Sequence, residues 1–429
     1  MDGRSRDASR AFEREKIMLK SSLKLAIKVL ARRKVFTTIS LVGIAMTLAV
    51  LMVATAVLDN ILSPRAPQSN LDRIVSVDRV RKHGPGNTEQ SNPGHGFLDP
   101  TIPNLPGTER VTYYKEVQTV VVYDGQRRLE LPYRRADAEY WKVLDFRFLE
   151  GGPYSAADEA ANRQVVVITE DVRHKLFGGT SAVGRMVNIG GEPHRVIGVV
   201  PTVPFTQQIA YSTLWVPLGP PSDREKKEFM GNFEVSVLAK STADIPRMQR
   251  EFQTRVSHLP IDDPKNFNEI NSGLDTPFES IARSLTNNEL GSRGPMVLRL
   301  AFLALALLFM TLPALNLVTL NLSRILERAS EVGVRKAFGA PRRMLIGQFI
   351  LENIVLTVIG GAAAFVLAFV MLRAFASIEF IPGAHFDLNL RVFGWGMLIA
   401  AFFGVFSGLY PAWKMSRLDP VTALRGGAM

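Results

Sequence analysis

The 429-residue chain contains no cysteine, which excludes disulfides and thiolate metal sites. No glycine precedes a lysine, so the phosphate-binding loop Gly-x-x-x-x-Gly-Lys-Ser/Thr cannot form. Lys240-Ser241-Thr242 has that motif's ending but lacks the glycines whose backbone amides would cradle phosphate. The chain is therefore not expected to hydrolyse nucleotide by itself or to hold a cofactor. Its six histidines (His83, His95, His174, His194, His258 and His385) are scattered and never at metal-ligand spacing. No Gly-x-Ser-x-Gly elbow is present, and no catalytic group has a visible partner.

Long apolar runs are what the sequence does contain. Val35–Leu58, Met296–Leu320, Ile346–Leu372 and Val392–Tyr410 are each long enough for a hydrocarbon core of about 30 Å, which takes roughly 20 helical residues. Between the first two lie residues 59–295, of ordinary globular composition. The expected fold class is thus membrane α-helical, with four transmembrane helices and an inserted extracytoplasmic α+β domain. Ionisable groups are sparse in the runs. Arg299 sits near one end of the second and can snorkel, and Glu352 near one end of the third either pairs with Arg343 or caps a vestibule. No charge relay of an ion-coupled carrier is visible. Ala54-Thr55-Ala56 resembles a signal-peptidase site, but the first run exceeds a typical signal core and reads as an uncleaved anchor.

The net charge of +11 is unevenly distributed: residues 1–34 carry +7, residues 59–295 carry −2 and residues 296–429 carry +6. Lys and Arg collect on the cytoplasmic side of membrane spans. That rule places the N-terminal block, the link 321–345 and the tail 411–429 inside, and the inserted domain and the loop 373–391 outside. Both termini are then cytoplasmic. Because the basic excess lies at membrane borders and the soluble segment is near neutral, no nucleic-acid partner is expected. Lys16, Lys20, Lys24 and Lys28 form one stripe opposite apolar residues between Ile17 and Lys34, the pattern of a basic amphipathic helix in the headgroup plane.

Within the inserted domain, strands are predicted at Arg73–Val80, Val117–Tyr123, Gln164–Ile168, Met186–Ile189, Arg195–Val200, Ser212–Val216 and Phe233–Ala239, with a hairpin turn at Gly190-Gly191. Helices are predicted at Glu170–Phe177, Asp244–His258 and Pro277–Thr286, with Asp244 as an N-cap. Residues 82–107, dense in Gly and Pro, are expected to form a long loop without regular structure.

The link reads Arg328-Ala-Ser-Glu-Val-Gly-Val-Arg-Lys-Ala-Phe-Gly-Ala-Pro-Arg-Arg, and a short helix of both charge signs between Gly333 and Gly339 suits docking to a cytosolic partner or lying against lipid. Small residues recur where helices would pack: Gly360 and Gly361 in the third run, Gly404 and Gly408 in the fourth. Tyr410 and Trp413 are positioned as interfacial aromatics.

Together these segments resemble ABC-transporter permeases of the MacB/FtsX type. That family's link has a Glu-x-Gly-x-Arg-(Lys/Arg)-Ala-x-Gly-Ala core and a following Gln-Phe-x-x-Glu. Here these are Glu331, Gly333, Arg335, Lys336, Ala337, Gly339 and Ala340, then Gln348, Phe349 and Glu352. Its closing Pro-Ala and Pro-x-x-Ala-Leu-Arg fall on Pro411, Ala412, Pro420, Ala423, Leu424 and Arg425. Phe148–Ser155, Val165–Glu170, Leu176–Gly179, Val183–Arg185 and Val196–Val200 resemble its periplasmic core. Met415-Ser416 and Pro341 are mild departures.

The resemblance implies a porter-like part at about 60–116 and 232–290 and an inserted lobe at about 117–231. It also implies a bacterial inner-membrane location and pairing with a second copy or a related permease. ATP and Mg would be bound by a separate cytosolic ABC ATPase, with Arg328, Glu331, Gly333, Arg335, Lys336, Phe338 and Gly339 as the ATPase-coupling residues. A periplasmic adaptor is a further partner. Peptide, lipoprotein and drug-like cargo all remain open. The rival expectation is a non-transporting membrane receptor whose external domain senses a ligand or controls a cell-envelope enzyme.

Overall fold

The structure, a computed structural model, describes residues 34–124, 127–261, 263–286, 293–308 and 342–377, together with positions 311, 334, 338, 390, 393–395, 397, 398, 401, 402, 405 and 406. They fall into a head unit within residues 59–300 and a helical unit drawn from residues before 59 and after 300. The first element, α1 (Lys34–Leu62), has no charged side chain between Lys34 and Asp59. Its apolar face needs a partner helix or lipid.

The head is built on a ten-stranded sheet. Its strands are β1 (Ile74–Val77), β4 (Thr108–Lys115), β5 (Gln118–Asp124), β6 (Arg127–Ala136), β7 (Glu150–Gly151), β8 (Val165–Thr169), β9 (Met186–Ile189), β10 (Glu192–Val200), β11 (Leu214–Pro217) and β13 (Phe233–Ala239). They run in the order β1-β13-β4-β6-β11-β8-β10-β9-β5, and β7 pairs with β10. Because β5 also pairs with β6, the path from β6 to β5 closes on itself as a six-stranded ring. Closure removes free strand edges and gives the ring its own interior. Val122, Leu131, Val166, Ile168, Val187, Ile189, Val196, Leu214 and Val216 form the cluster of that lobe. β8 shows why its sequence is Val-Val-Val-Ile-Thr: every residue is buried. Val166 and Ile168 join one cluster, while Val165 and Val167 join the next, the pattern of a strand covered on both faces. The hairpin at Gly190-Gly191 has both residues at positive φ and Ile189 opposite Glu192, as a two-residue primed turn requires.

A second sheet runs β12 (Met230–Gly231), β3 (Asn87–Pro93), β2 (Val80–Gly84), β14 (Glu269–Ser272). This overturns the expectation that residues 82–107 lack regular structure. β2 and β3 pair from Val80↔Ser91 to Gly84↔Asn87, and α2 (His95–Thr101) follows. Pro85-Gly86 forms the turn, with Gly86 at φ +91°, the conformation a Pro-Gly corner favours. A Cβ on Gly94 would collide with the Glu228 carbonyl oxygen. The glycines and prolines that suggested a loop therefore occupy a turn and close backbone approaches, and the residues between them pair.

The predicted strand Arg73–Val80 is likewise two elements, β1 and the start of β2, broken at Asp78-Arg79. The predicted helices at Glu170–Phe177, Asp244–His258 and Pro277–Thr286 correspond to α5 (Glu170–Phe177), α6 (Ile245–Ser257) and α7 (Pro277–Leu285). Two short helices precede them, α3 (Tyr140–Val143) and α4 (Ala156–Ala160). Asp244 stands at the N-cap position of α6, but its backbone is already helical, its side chain makes no capping bond and a 3-10 turn, Thr242–Asp244, leads into the helix. α7 does carry a capping box, Thr276 with Glu279, and Pro277 at its start. Ile245, Met248, Phe252 and Val256 of α6 are buried in the cluster beneath β13. Each such side chain is worth about 1.5–3 kcal/mol over exposure.

After the head come α8 (Gly294–Leu308) and α9 (Arg342–Ser377). Among the described residues two helices are long and apolar enough to cross a membrane, Thr37–Leu62 and Ile350–Phe375, and Gly294–Leu308 is a shorter apolar helix. Most of the predicted second span beyond Leu308 and most of the fourth lie outside the described residues, as does the predicted amphipathic helix before Lys34.

Candidate functional site

Of the residues expected to contact an ATPase, Arg328, Glu331, Gly333, Arg335, Lys336 and Gly339 lie outside the described residues. Phe338 is described and is 88 % exposed, and its N–H donates to the Val334 carbonyl at 3.0 Å.

In the helical unit, α9 turns a stripe of every fourth residue inward: Glu352, Leu356, Gly360, Ala364, Ala368 and Leu372 are all buried. Ile44, Ala45 and Leu48 of α1 cluster with Ala364, and Ala49 and Met52 with Ala368. Side chains four apart share one helix face, and their small size allows the two backbones to approach. At Gly360 an added Cβ would lie 2.7 Å from Ile44 Cγ2 and 3.0 Å from Ile44 Cβ. At Gly361 it would overlap the Met397 sulfur. Gly404 and Gly408 lie outside the described residues. Glu352 is only 3 % exposed; the side chain of its expected partner Arg343 is outside the description.

The head contains a polar centre that the sequence reading missed. It begins at the last turn of α1. Asn60, 7 % exposed, accepts a hydrogen bond from Thr206 Oγ1 at 2.9 Å. Asp59 accepts from Ser63 Oγ at 2.6 Å and lies 3.5 Å from Arg65. Gln207 Nε2 donates to the Ala66 carbonyl at 3.2 Å, and the Asp145 N–H to the Pro67 carbonyl at 2.7 Å. Thr206 and Gln207 belong to a turn over residues 204–211, closed by Gln207 N–H to Pro204 O at 3.0 Å and Tyr211 N–H to Gln207 O at 2.8 Å.

Arg134 of β6 holds that turn from within. Its guanidinium donates to the carbonyls of Ile209 at 2.6 Å and Gln208 at 3.1 Å and lies over the Tyr114 ring at 4.8 Å. Tyr140 Oη donates to the same Ile209 carbonyl at 2.8 Å. Tyr114 Oη and Ser236 Oγ are 2.7 Å apart, and Ser236 Oγ and Ser76 Oγ 2.8 Å. The network thus joins β6, β4, β13 and β1. A planar guanidinium satisfies several carbonyls and an aromatic face at once, which an ammonium does not.

Glu234 of β13 stands 3.9 Å from Arg134. Burial, opposed only partly by Arg134, pushes its carboxyl up to about 7. Asp137 is also pushed up to about 7 by burial, against the pull of Thr112 Oγ1 at 2.6 Å, Tyr113 N–H at 2.7 Å and Tyr140 N–H at 2.9 Å. At the far edge of the sheet, Arg283 of α7 forms a buried two-point pair with Asp275, Nε to Oδ2 and Nη2 to Oδ1, the latter at 2.9 Å. Asp275 is bound to β1 through two backbone hydrogen bonds with Ser76, each 2.8 Å. Arg299, expected to snorkel, lies over the Phe278 ring of α7 at 5.2 Å. Among the described residues no cluster of three or more His, Asp or Glu could hold a metal ion.

These groups tie the strands of the head to one another and to the last turn of α1. Comparison with known proteins gives the family. Residues 37–255 match the MacB-like periplasmic core domain, and residues 303–420 match the FtsX-like permease C-terminal. The chain is 24 % identical over 438 residues to the macrolide export ATP-binding/permease protein MacB of Escherichia coli, covering 94 % of this chain and 60 % of that protein's length. It is also 24 % identical over 431 residues to the uncharacterised ABC transporter permease YknZ of Bacillus subtilis, covering 95 % of this chain and 99 % of the relative. Among solved structures, the extracellular domain of YknZ from Gram-positive bacteria aligns with a TM-score of 0.34 at 19 % identity, covering 46 % of this chain and 98 % of that domain. With its core-domain and permease regions both matched and the first covering half of its length, the chain belongs to the MacB/FtsX family of ABC transporter permeases.

Proposed function

We propose that the chain is the permease subunit of an ABC-type mechanotransmission complex. A separate cytosolic ATPase subunit binds ATP and Mg and docks on the segment around Arg328–Gly339. Closure of the ATPase pair displaces the membrane helices, and the head outside the membrane moves in response, extracting or expelling a peptide, lipoprotein or drug-like cargo. No solute needs to cross between the helices. The complex contains two permeases, this chain twice or with a related one, their termini on the cytoplasmic side and their heads in the periplasm, where an adaptor can engage them.

The observation that carries this reading is the mechanical continuity of α1. It is a single helix of 29 residues, its charge-free length suits a lipid setting, and its last turn is hydrogen-bonded through Asn60 and Thr206 to a turn clamped by the buried Arg134. A helix end anchored in that way is suited to passing a displacement on to the head.

The test is charge reversal of Arg335 and Lys336 to Glu in the full chain, purified from its native membrane. The wild type should bring down an ATP-hydrolysing subunit. The double variant should lose that subunit while keeping its melting temperature. If the variant retains the ATPase and stimulated hydrolysis, the docking assignment is wrong. If the wild type brings down no ATPase, the receptor reading takes its place.

A further inference from the structure

We propose that the turn over residues 204–211 rests on the outer leaflet of the bilayer, with Phe205 inserted at the boundary between headgroups and acyl chains. The surface it fits is a phospholipid membrane. The inference rests on α1 crossing the membrane and is independent of how an ATPase is coupled.

Helix length sets the depth. From Lys34 to Asn60 α1 has 27 residues, about 40 Å at 1.5 Å per residue, against roughly 40–45 Å for a bilayer including its headgroups. With Lys34 among the headgroups of one leaflet, Asn60 falls among those of the other. Thr206 is hydrogen-bonded to Asn60 at 2.9 Å, and both are buried. The neighbour of Thr206 is therefore held within a few ångströms of headgroup depth. That neighbour is Phe205, 46 % exposed between the half-buried Pro204 and the buried Thr206.

Composition points the same way. Residues 196–222 contain no Asp, Glu, Lys or Arg, although the head is otherwise densely charged. Pro201, Thr202, Phe205 and Gln208 are the exposed positions between Pro201 and Tyr211. An uncharged turn bearing an exposed aromatic suits the headgroup layer, where aromatic side chains sit with one end dry. The turn is also stiff. Its own backbone hydrogen bonds and the two carbonyls held by Arg134 fix Phe205 before any lipid is met, so little ordering is needed on contact.

The cysteine-free sequence makes the test direct. F205C in the full chain carries a single nitroxide, and the protein is reconstituted into vesicles of phosphatidylcholine and phosphatidylglycerol. Collisions with oxygen, which enters the bilayer, and with a water-soluble nickel chelate are measured by power saturation. Y123C is the aqueous control. Tyr123 is 56 % exposed and stands on β5 five residues from the Gln118–Tyr133 pair. The oxygen-to-nickel ratio in vesicles should be several-fold higher at 205 than at 123. Equal ratios in vesicles would overturn the proposal. A label immobile and shielded from both reagents would also overturn it, because protein rather than lipid would then cover the turn. Should F205C fail to fold, Q208C on the same turn carries the label under the same criteria.

Discussion

Replacing Glu234 with Gln should stabilise the head at pH 8 and leave it nearly unchanged at pH 4. Glu234 lies on the face of β13 that carries Ser236 and Leu238, opposite the Val235 and Val237 face. Its nearest cation, Arg134, is 3.9 Å away and already committed to two carbonyls and a ring. Burial outweighs that attraction and raises the carboxyl from 4.5 to about 7. The native state thus keeps a proton that the unfolded chain has lost. For a group raised in this way, stability is full below the unfolded value near 4.5 and declines as pH rises through about 7. At roughly 1.4 kcal/mol per pH decade the decline is about 3 kcal/mol. For a head of some 240 residues this corresponds to a melting shift of about 6–12 °C. Gln carries no charge at any pH, so the variant keeps the stability that the wild type loses. The assay is thermal unfolding of the full chain in nanodiscs, read from the buried Trp141 and Trp215 with Trp395 and Trp413 replaced by Phe. Asp137, also raised to about 7, titrates in both proteins and cancels in the difference. A variant that melts lower than wild type at pH 8 would refute the reasoning, because Arg134 would then be holding Glu234 as a net stabilising anion.

Other substitutions separate neighbouring contributions. Gly360→Ala puts a methyl against the branched Cβ of Ile44, which cannot swing aside. Overpacking of about 1–3 kcal/mol then outweighs the gain of up to about 1 kcal/mol from replacing a helical glycine. Gly361→Ala meets the end of a flexible Met397 side chain and should be neutral or mildly stabilising, as thermal scans of the two variants in one detergent will reveal. Arg283→Met strands the buried Asp275 carboxylate, with an expected loss of about 3–5 kcal/mol, while Arg283→Met with Asp275→Leu should recover most of it. Denaturant melts of the double-mutant cycle would expose an unpaired or dispensable bridge as additivity.

How much was legible from sequence alone depended on whether the determining contact was local. The apolar runs Val35–Leu58 and Ile346–Leu372 fall inside α1 and α9 because a helix satisfies its backbone within itself and needs only length and composition to announce it. Val165–Ile168 and the Gly190-Gly191 hairpin were equally readable, the one from β-branched density, the other from two residues free to take positive φ. The Gly- and Pro-rich stretch around β2 and β3 was not. Its punctuating residues mark a turn and close approaches to residues 228 and 266, more than a hundred positions away, which no local window contains. The polar centre failed for a related reason. Arg134 and Arg135 are adjacent and identical in type, and in a strand of period two they must face opposite ways. Arg134 is 3 % exposed beneath the turn over residues 204–211, whereas Arg135 is half-buried and donates to the Pro217 carbonyl. Alternation tells a reader that one of the pair points inward, but only the register β6↔β11, Arg134 beside Trp215 and Arg135 beside Val216, decides which. That register is fixed by strands some eighty residues apart. An inward arginine in an unpaired strand therefore reads as surface until its acceptors, themselves backbone carbonyls with no side-chain signature, have been brought beneath it.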